Sequence, residues 1–541
     1  MRKILYKKSI QKLFGLTALT ALLFSSSCKK FTELQPVDAL SDVTSFTTPA
    51  NIELVAVGVY NAAAVGNYNG SAISAGRGYP FGAAAIEQDE MRGEDMVNLA
   101  AFYQITYQAT YDPSTANNVY MWNNLFTLIN EANILIDGVR TAVTSGVITQ
   151  TVANQYEAEG RFLRALSYHE LLIHFCRPYL DGNGSAAGVP YRDFAVNSAS
   201  TVDKANAVGR GTVAEDYTKL LADLDYAETN LPVTRSSNNI TRATSAAAIA
   251  LKTRIKLHMG DYAGVITEGA KLGTSAASAT YTSPIGGYKL TASPDGPFVS
   301  YSSNTESIFS IENSAASNGG VNGALPAIFG PADKGGRGLV ATNPNLYNAA
   351  YWVTGDSRRT LLQVQNSTAG SKYVFNYKYR DYVNRSDWAP IIRYAEVLLN
   401  VAEAYSRTTS LDPRALSLLN AVRNRAVPTA SQYTIANFTT QNNLTQAILN
   451  ERRIEFAGEG RRWGDIHRLA KDAVFSTGGI PAKVLVGQLS GTGSNWDIVN
   501  RPVTAATFAA IPYDNFRFLW PLPATEVANN PALSTQQNPG Y

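Results

Sequence analysis

Three stretches of this sequence hold side chains whose types and spacing could do chemistry. Glu87, Asp89, Glu90, Glu94 and Asp95 supply several carboxylates within nine residues. A suitably separated pair could act as acid and base in glycoside hydrolysis. An all-oxygen cluster is also what calcium takes. Charge runs are more often solvated faces, and that is the expectation here, with a structural Ca2+ left open. The second stretch is His169-Glu170-Leu171-Leu172-Ile173-His174. It approaches the zinc-protease helix, which needs His at i and i+4 on one face. The spacing is i+5, so at 3.6 residues per turn the rings point roughly 140° apart. The chain has four His in all, and no metal site is expected. The third stretch runs from Glu451 to Arg468, dense in charge yet joining two helical segments. Leu444, Ala447, Ile448 and Glu451 share a helical face, so Glu451 points toward the core. A buried carboxylate is costly unless it is paired and hydrogen-bonded. Arg461, Arg462 and Arg468 are its nearby candidates. Glu451, Arg453, Arg461, Asp465 and Arg468 therefore read as a structural ion network. Phosphate-loop and Gly-x-Ser-x-Gly patterns are absent from the sequence. No catalytic residue and no cofactor is expected.

The elements that must position these groups are mainly helical. Apolar residues recur near a period of 3.6 in Asn117–Arg140 and Thr151–Phe175. Further helices are predicted at Asn51–Ala64, Thr212–Asn230, Thr244–His258, Tyr262–Leu272, Pro390–Arg407, Asp412–Val427 and Asn442–Gly458, with a shorter one from Arg462. Asp412 followed by Pro413 is a well-formed helix start. Two pairs resemble tetratricopeptide units, Ala246–Lys252 with Gly260-Asp261-Tyr262, and Ala402–Tyr405 with Ala415–Asn420. Gly76–Gly82 reads as a flexible surface loop. Residues 273–388 are rich in Gly, Ser, Asn, Pro and Tyr and carry only short strand-like pieces such as Ser307–Ile311.

Composition narrows the partners. Among 541 residues, 45% are apolar, enough for a large core. Only 16% are charged, while 29 Tyr and 6 Trp bring aromatics to 10%. A neutral, Tyr- and Asn-rich chain suits hydroxylated, uncharged ligands. Five of the 46 Lys and Arg precede residue 28, which leaves 41 against 43 acids, a charge of about −2. Nucleic acid is not an expected partner.

Residues 1–27 combine five positive charges, an apolar run from Leu13 to Phe24 and Ser25-Ser26-Ser27, followed by Cys28. This reads as an export signal, with a run too short to span a bilayer. Small residues directly before a Cys resemble the lipobox of bacterial lipoproteins. The resemblance implies a Cys28 that carries acyl chains, a polar tether over 28–48, and contact with the membrane through the lipid alone. Cys176 would then lack a disulfide partner and reads as a small buried hydrophobe.

Four ordered segments resemble the SusD/RagB family of outer-membrane nutrient-binding lipoproteins of Bacteroidetes. They are Glu159–Ala165, Trp388–Tyr405, Glu451–Arg468, and the end from Trp520-Pro521-Leu522-Pro523 to Asn538-Pro539-Gly540-Tyr541. The resemblance implies a mainly α fold, a tetratricopeptide-like helix-pair scaffold with a loop-rich, irregular second subdomain. The divisions expected are 49–272 with a variable loop at 65–111, a ligand-binding insertion at 273–388, and a helical region at 389–541 with a loop-like tail. It also implies a non-catalytic protein facing the cell exterior, which captures a glycan and delivers it to a SusC-like TonB-dependent transporter. Peptide binding in the manner of RagB is the alternative, ahead of an outer-membrane assembly factor. Sugars offer CH faces to aromatic rings and hydroxyls to polar groups. The ligand-binding candidates are Arg77, Tyr79, Phe102, Tyr103, Tyr107, Tyr351 and Trp352.

Overall fold

A computed structural model describes residues 44–66 and 77–541. The expected signal, Cys28 and most of the tether lie outside the described residues. The fold is mainly helical, as expected. Its longer elements are α1 (Pro49–Ala64), α2 (Ala83–Arg92), β1 (Met96–Asn98), α3 (Ala116–Thr144), α4 (Gln150–Phe175), α5 (Val213–Asn230), α6 (Ser245–His258), α7 (Tyr262–Lys271), β2 (Ser307–Ile311), β3 (Val340–Thr342), β4 (Ala389–Arg393), α8 (Tyr394–Thr408), α9 (Pro413–Arg423), α10 (Gln441–Glu455) and α11 (Arg462–Arg468). Among the described residues no helix is long and apolar enough to cross a membrane.

The helices start where polar caps stand. Thr212 and Glu215 form a reciprocal capping box at α5, and the Asp412 carboxylate accepts the Arg414 N–H ahead of α9 (2.8 Å), satisfying backbone donors that the helix leaves open. Consecutive helices pack as neighbours, α3 with α4, α4 with α5, α6 with α7, α8 with α9. Their facing sides bury Trp122, Leu125, Leu128, Phe162 and Leu166 completely or nearly so. Each such side chain contributes roughly 1.5–3 kcal/mol. Gly160 lets α4 approach α3 closely, since a Cβ there would meet Ile136 at 3.0 Å and the Ala132 carbonyl at 3.2 Å.

Several boundaries differ from the sequence reading. The helix expected from Pro390 begins only at Tyr394. Residues 389–393 instead form β4, antiparallel to β2, with Ile311 opposite Ala389. Pro390 disfavours a helical residue before it, and Ile391-Ile392 suit a strand. α10 stops at Glu455 because Gly458 and Gly460 turn the chain at φ +79° and +71°, which favours glycine. The largest departure is α2. Gly78–Gly82 is buried rather than a flexible surface loop, and the acids after it sit on an inserted helix. All ten residues of α2 are buried. The reason is tertiary: α2 packs on α11, and β1 pairs antiparallel with β3, Val97 opposite Ala341.

Candidate functional site

The charged residues that dominate the sequence motif are spent on the interior. Glu451 is 1% exposed, as its helical face requires. Its partners are Arg358 (2.6 Å) and Arg423 (3.0 Å), not Arg461, Arg462 or Arg468. The sequence could not supply them, because Arg358 arrives from the loop-rich insertion. Arg358 continues to Asp356 (2.8 Å) and Glu455 (3.0 Å). Glu455 also holds Arg425 (2.6 Å) and Arg393 (3.0 Å). Those two meet at Glu306, and Arg393 also holds Glu459, which takes Lys378 at 2.5 Å. Five acids thus meet five bases in one buried network. Burial alone would raise the Glu455 carboxyl, but Arg425, Arg393 and Arg358 hold it at about 2.

The other expected network members belong elsewhere. Arg468 grips Glu403 through two nitrogens (2.8 and 2.6 Å) and shares Asp465 with Arg452 (2.9 Å each). Arg453 pairs with Asp95 and Glu94, and Arg462 with Glu94. Arg461 donates to the Ile391 carbonyl (3.2 Å) and faces the acids of α2 and α4. The single network expected is therefore split into three clusters, with Arg461 outside all of them.

The α2 acids contradict the expected solvated face. Glu87, Asp89, Glu90 and Asp95 are each at most 6% exposed. Glu90 accepts the Gly458 and Gly460 N–H groups (3.0 and 2.8 Å), tying α2 to the turn after α10. Burial pushes its carboxyl up to about 8 despite the Gly460 bond. Asp89, Glu170 and His174 bring potential ligand atoms within 4.8 Å of one another. The hydrogen bonding does not fit a cation. Arg92 only donates, so at 3.1 Å His174 Nδ1 must accept. The proton then sits on Nε2, 3.0 Å from Asp89, and the lone pair a metal would need is absent. His169 points elsewhere and packs on His258, ring centroids 4.7 Å apart. Burial pushes Asp89 up to about 7 against Arg461 and Arg92, and burial and Arg92 push His174 down to about 3. Cys176 is fully buried, and burial raises its thiol to about 12.

The predicted ligand rings divide. Tyr79, Tyr103, Tyr107 and Trp352 are at most 2% exposed, so they are core and offer no face to a sugar. Tyr107 donates to the Val484 carbonyl (2.7 Å). Trp352 lies against Arg359 and Tyr347. Arg77, Phe102 and Tyr351 remain partly exposed.

Sequence reasoning passed over a second set. Tyr301 and Trp388 form a partly exposed pair, centroids 5.7 Å apart. Trp388 Nε1 donates to the Asn313 carbonyl (3.1 Å), and the Tyr301 hydroxyl lies 3.1 Å from Ser386 Oγ. Asn318 reaches the Asn384 carbonyl (3.2 Å). Asn313 also lines a cavity of about 250 Å³, together with Tyr60, Asn61, Asn238, Ser314 and Ser317. The loop from Asn313 to Gly323 then runs to Arg77, whose Cα would lie 2.2 Å from a Cβ on Gly323. Rings and amides thus lie together within the insertion, one of whose loops also packs on the Arg77 backbone. Trp388 was visible in the sequence, but only as the start of a helix motif. A second groove, of about 850 Å³, lies between residues 278–292 and α9, with Ser417, Asn420 and Asn424 on its wall.

Two family models match. The SusD family matches residues 366–541, and the family described as starch-binding associating with outer membrane matches residues 58–257. Together they span well over half of the chain. SusD-like protein P2 of Formosa agariphila is 27% identical over 463 residues, 78% of this chain and 80% of that protein. Among solved structures, a SusD superfamily protein from Bacteroides fragilis superposes with a TM-score of 0.70 at 24% identity, covering 90% of this chain and 99% of that one. Surface glycan-binding protein A from Bacteroides uniformis gives 0.65 at 20% identity, covering 91% and 99%.

Proposed function

Because the chain belongs to the SusD-like family, we propose that it is a non-catalytic glycan-binding lipoprotein of the outer membrane. In this reading Cys28 carries the lipid, and the protein faces the cell exterior. It hands captured oligosaccharide to a SusC-like TonB-dependent transporter and needs no cofactor. The matching family described as starch-binding associating with outer membrane supports both the ligand class and the location. The observation that carries the reading is the partly exposed Tyr301–Trp388 pair set among Asn313, Asn318 and Asn384. Rings take the CH faces of a sugar, each adding roughly 0.5–1.5 kcal/mol beyond buried area. Amides bond the hydroxyls, with small net gain because water bonded them before. Two or three rings then give a Kd from about millimolar to micromolar, which suits a protein that must release its cargo. The non-catalytic reading is supported by the acids of the α2 segment. Among them, Glu87, Asp89, Glu90 and Asp95 are buried, where no glycosidic bond can reach.

Calorimetry of the full chain against a panel of oligosaccharides tests this. Binding to at least one glycan is expected, weakened about tenfold by Tyr301→Ala, roughly 1.4 kcal/mol. A chain that binds peptides but no glycan would transfer it to the RagB-like alternative. Hydrolysis that follows the purified protein would move it to the enzymes. Cys28→Ala should release the protein from membranes without altering its fold, and a variant that still sediments with washed membranes would refute the lipid anchor.

A further inference from the structure

The C-terminal motif from Trp520 to Tyr541 walls a cavity of its own. Asn538 Nδ2 donates to the Phe175 and Trp520 carbonyls (2.8 and 2.7 Å), which ties the tail to the end of α4. Arg210 Nη1 donates to the Gln536 carbonyl and to Asn538 Oδ1 (2.9 Å each). That ties the tail to the antiparallel strands Ala187–Pro190 and Arg210–Thr212. Together these pieces border a cavity of about 410 Å³ whose wall includes Arg177, Arg210, Leu519 and Gln536 and no acidic residue. Small-molecule sites run from about 300 to 1,000 Å³. Neither Tyr301 nor Trp388 has a part in this wall.

Among the described residues neither Arg177 nor Arg210 pairs with a carboxylate; both bond neutral atoms. Arg210 spends Nε on the Gly188 carbonyl (2.6 Å), Nη1 on the tail, and Nη2 on the Ala187 carbonyl (3.2 Å) and the Cys176 sulfur (3.9 Å). Its donors are used, but its charge is not cancelled. Arg177 is different. Its Nη1 donates to the Tyr513 carbonyl, and its guanidinium lies 4.6 Å from the Tyr513 ring centroid. These contacts hold the plane and leave Nε and Nη2 without a protein partner. That edge of the fork is the one that takes two oxygens of an anion. In this same fold it grips Glu159 at Arg242 (2.6 and 2.9 Å) and Glu396 at Arg254 (2.6 Å each). Gln536 adds a donor. The Arg210 N–H donates to its Oε1 (2.7 Å), so its NH2 is left over. Three acids on flanking segments are engaged elsewhere. Asp181 accepts the Tyr513 hydroxyl (2.6 Å), Glu215 accepts the Thr212 N–H (2.7 Å), and buried Asp216 accepts the Val189 N–H (2.8 Å).

We propose that this cavity binds a phosphate monoester on a sugar-sized group. Arg177 takes two phosphate oxygens through Nε and Nη2, the Gln536 amide takes a third, and Arg210 supplies charge from the opposite strand. A phosphate monoester carries about −1.5 to −2 at pH 7, which two guanidiniums balance. A neutral sugar would leave both charges unmatched, and the Tyr513 ring beside Arg177 is already covered by that guanidinium. A free sugar phosphate and the phosphorylated headgroup of a lipid share this chemistry. The site stands apart from the glycan-binding reading and does not depend on it.

The test is calorimetry of the full chain with glucose 1-phosphate, inorganic phosphate and glucose. A parallel arm sediments the Cys28→Ala chain with vesicles of phosphatidylcholine, alone or mixed equally with phosphatidate. Glucose 1-phosphate or the phosphatidate vesicles should bind, and glucose and the plain vesicles should not. Binding should weaken as salt rises from about 50 to 500 mM, since screening weakens exposed charges. Arg177→Gln should cost about tenfold in affinity and leave any binding of neutral oligosaccharide within about twofold. Arg177→Lys keeps the charge without the fork and should recover only part of the loss. Glucose 1-phosphate bound with no vesicle response assigns a free sugar phosphate. Vesicle binding that glucose 1-phosphate displaces assigns a headgroup. Failure of every phosphate probe would overturn the site and leave the glycan reading intact. Phosphate binding that Arg177→Gln leaves unchanged would overturn it, as would full affinity in Arg177→Lys.

Discussion

Two buried acidic regions of this protein use the same residue types to opposite effect. Around Glu451 and Glu455, five carboxylates meet five cations at 2.5–3.0 Å or closer. Around Asp89 and Glu170, the nearby cations are turned elsewhere. Arg254 is bound to Glu396 through two nitrogens (2.6 Å each), and Arg92 donates to the Phe518 carbonyl and stacks on Trp463. The first region holds Glu455 ionised. The second pushes Asp89 and Glu90 up toward neutrality. What decides a buried acid's state is thus the number of cations aimed at it, since both sets are equally out of water. Neither region is open enough to take a ligand.

The first way to break this comparison carries the largest effect. Glu455→Ala removes the one carboxylate that Arg358, Arg393 and Arg425 share. Each of the three keeps another carboxylate, but the network is left with one buried cation in excess, which costs about 3–5 kcal/mol, read as a lower urea midpoint. Glu455 is depressed in the folded state to about 2, below its unfolded value of about 4.3. Its contribution is therefore full above about pH 4.3 and is lost as pH falls through 2. The wild type should lose stability across that window and the variant should lose less. Equal stability of the two at pH 7 would refute the view that this network holds β4, α9 and α10 together.

The second region gives the opposite sign. Asp89 is raised in the folded state to about 7, above its unfolded value of about 3.9. The folded chain then holds a proton that the unfolded chain releases, so stability falls as pH rises from about 4 to 7. Asp89→Asn removes that proton exchange while keeping the side chain's size. The variant's stability should vary less between pH 4 and 8, with an advantage over wild type at pH 8 on the order of 4 kcal/mol. Denaturant midpoints at the two pH values read it directly. A slope identical to wild type would mean that Asp89 is already ionised and paired in the fold.

Much of the scaffold was legible because helices announce themselves locally. The period through Trp122, Leu125, Leu128 and Ile129, the Asp412-Pro413 start and the core-facing Glu451 all sit within a few residues of what they determine. What was hidden depends on distant chain. Arg358 lies 93 residues from Glu451, and no spacing rule connects them. The strand at 389–393 exists because residues 307–311 lie alongside it. The rings at 79, 103, 107 and 352 looked like ligand platforms because aromatic clusters in loop-rich sequence usually remain near the surface. The fold buried them instead, with Tyr107 reaching Val484 and Trp352 set against Arg359 and Tyr347. Trp388 failed to stand out for the converse reason, since its motif context suggested a helix interior.

The last test is the smallest in energy and isolates the open face from both ionic interiors. Asp387 beside Trp388 is buried and accepts the Arg380 and Asp381 N–H groups (3.1 and 2.8 Å), while the indole itself remains partly exposed. Trp388→Ala deletes one side-chain hydrogen bond, to the Asn313 carbonyl, and one ring contact, to Tyr301. A net hydrogen bond is worth about 1 kcal/mol, so stability should fall by only about 1–2 kcal/mol, well below the Glu455→Ala loss. Glycan affinity should nevertheless fall about tenfold, a comparable 1.4 kcal/mol, because the ring's free surface is what a sugar stacks on. Trp388→Phe separates the two effects. It keeps a stacking face and loses the N–H, so affinity should recover to within about threefold while the hydrogen-bond loss persists. If Trp388→Phe binds as poorly as Trp388→Ala, the Asn313 loop geometry rather than ring stacking sets affinity. If neither variant changes binding, the ligand lies elsewhere, and the groove between residues 278–292 and α9 becomes the surface to probe.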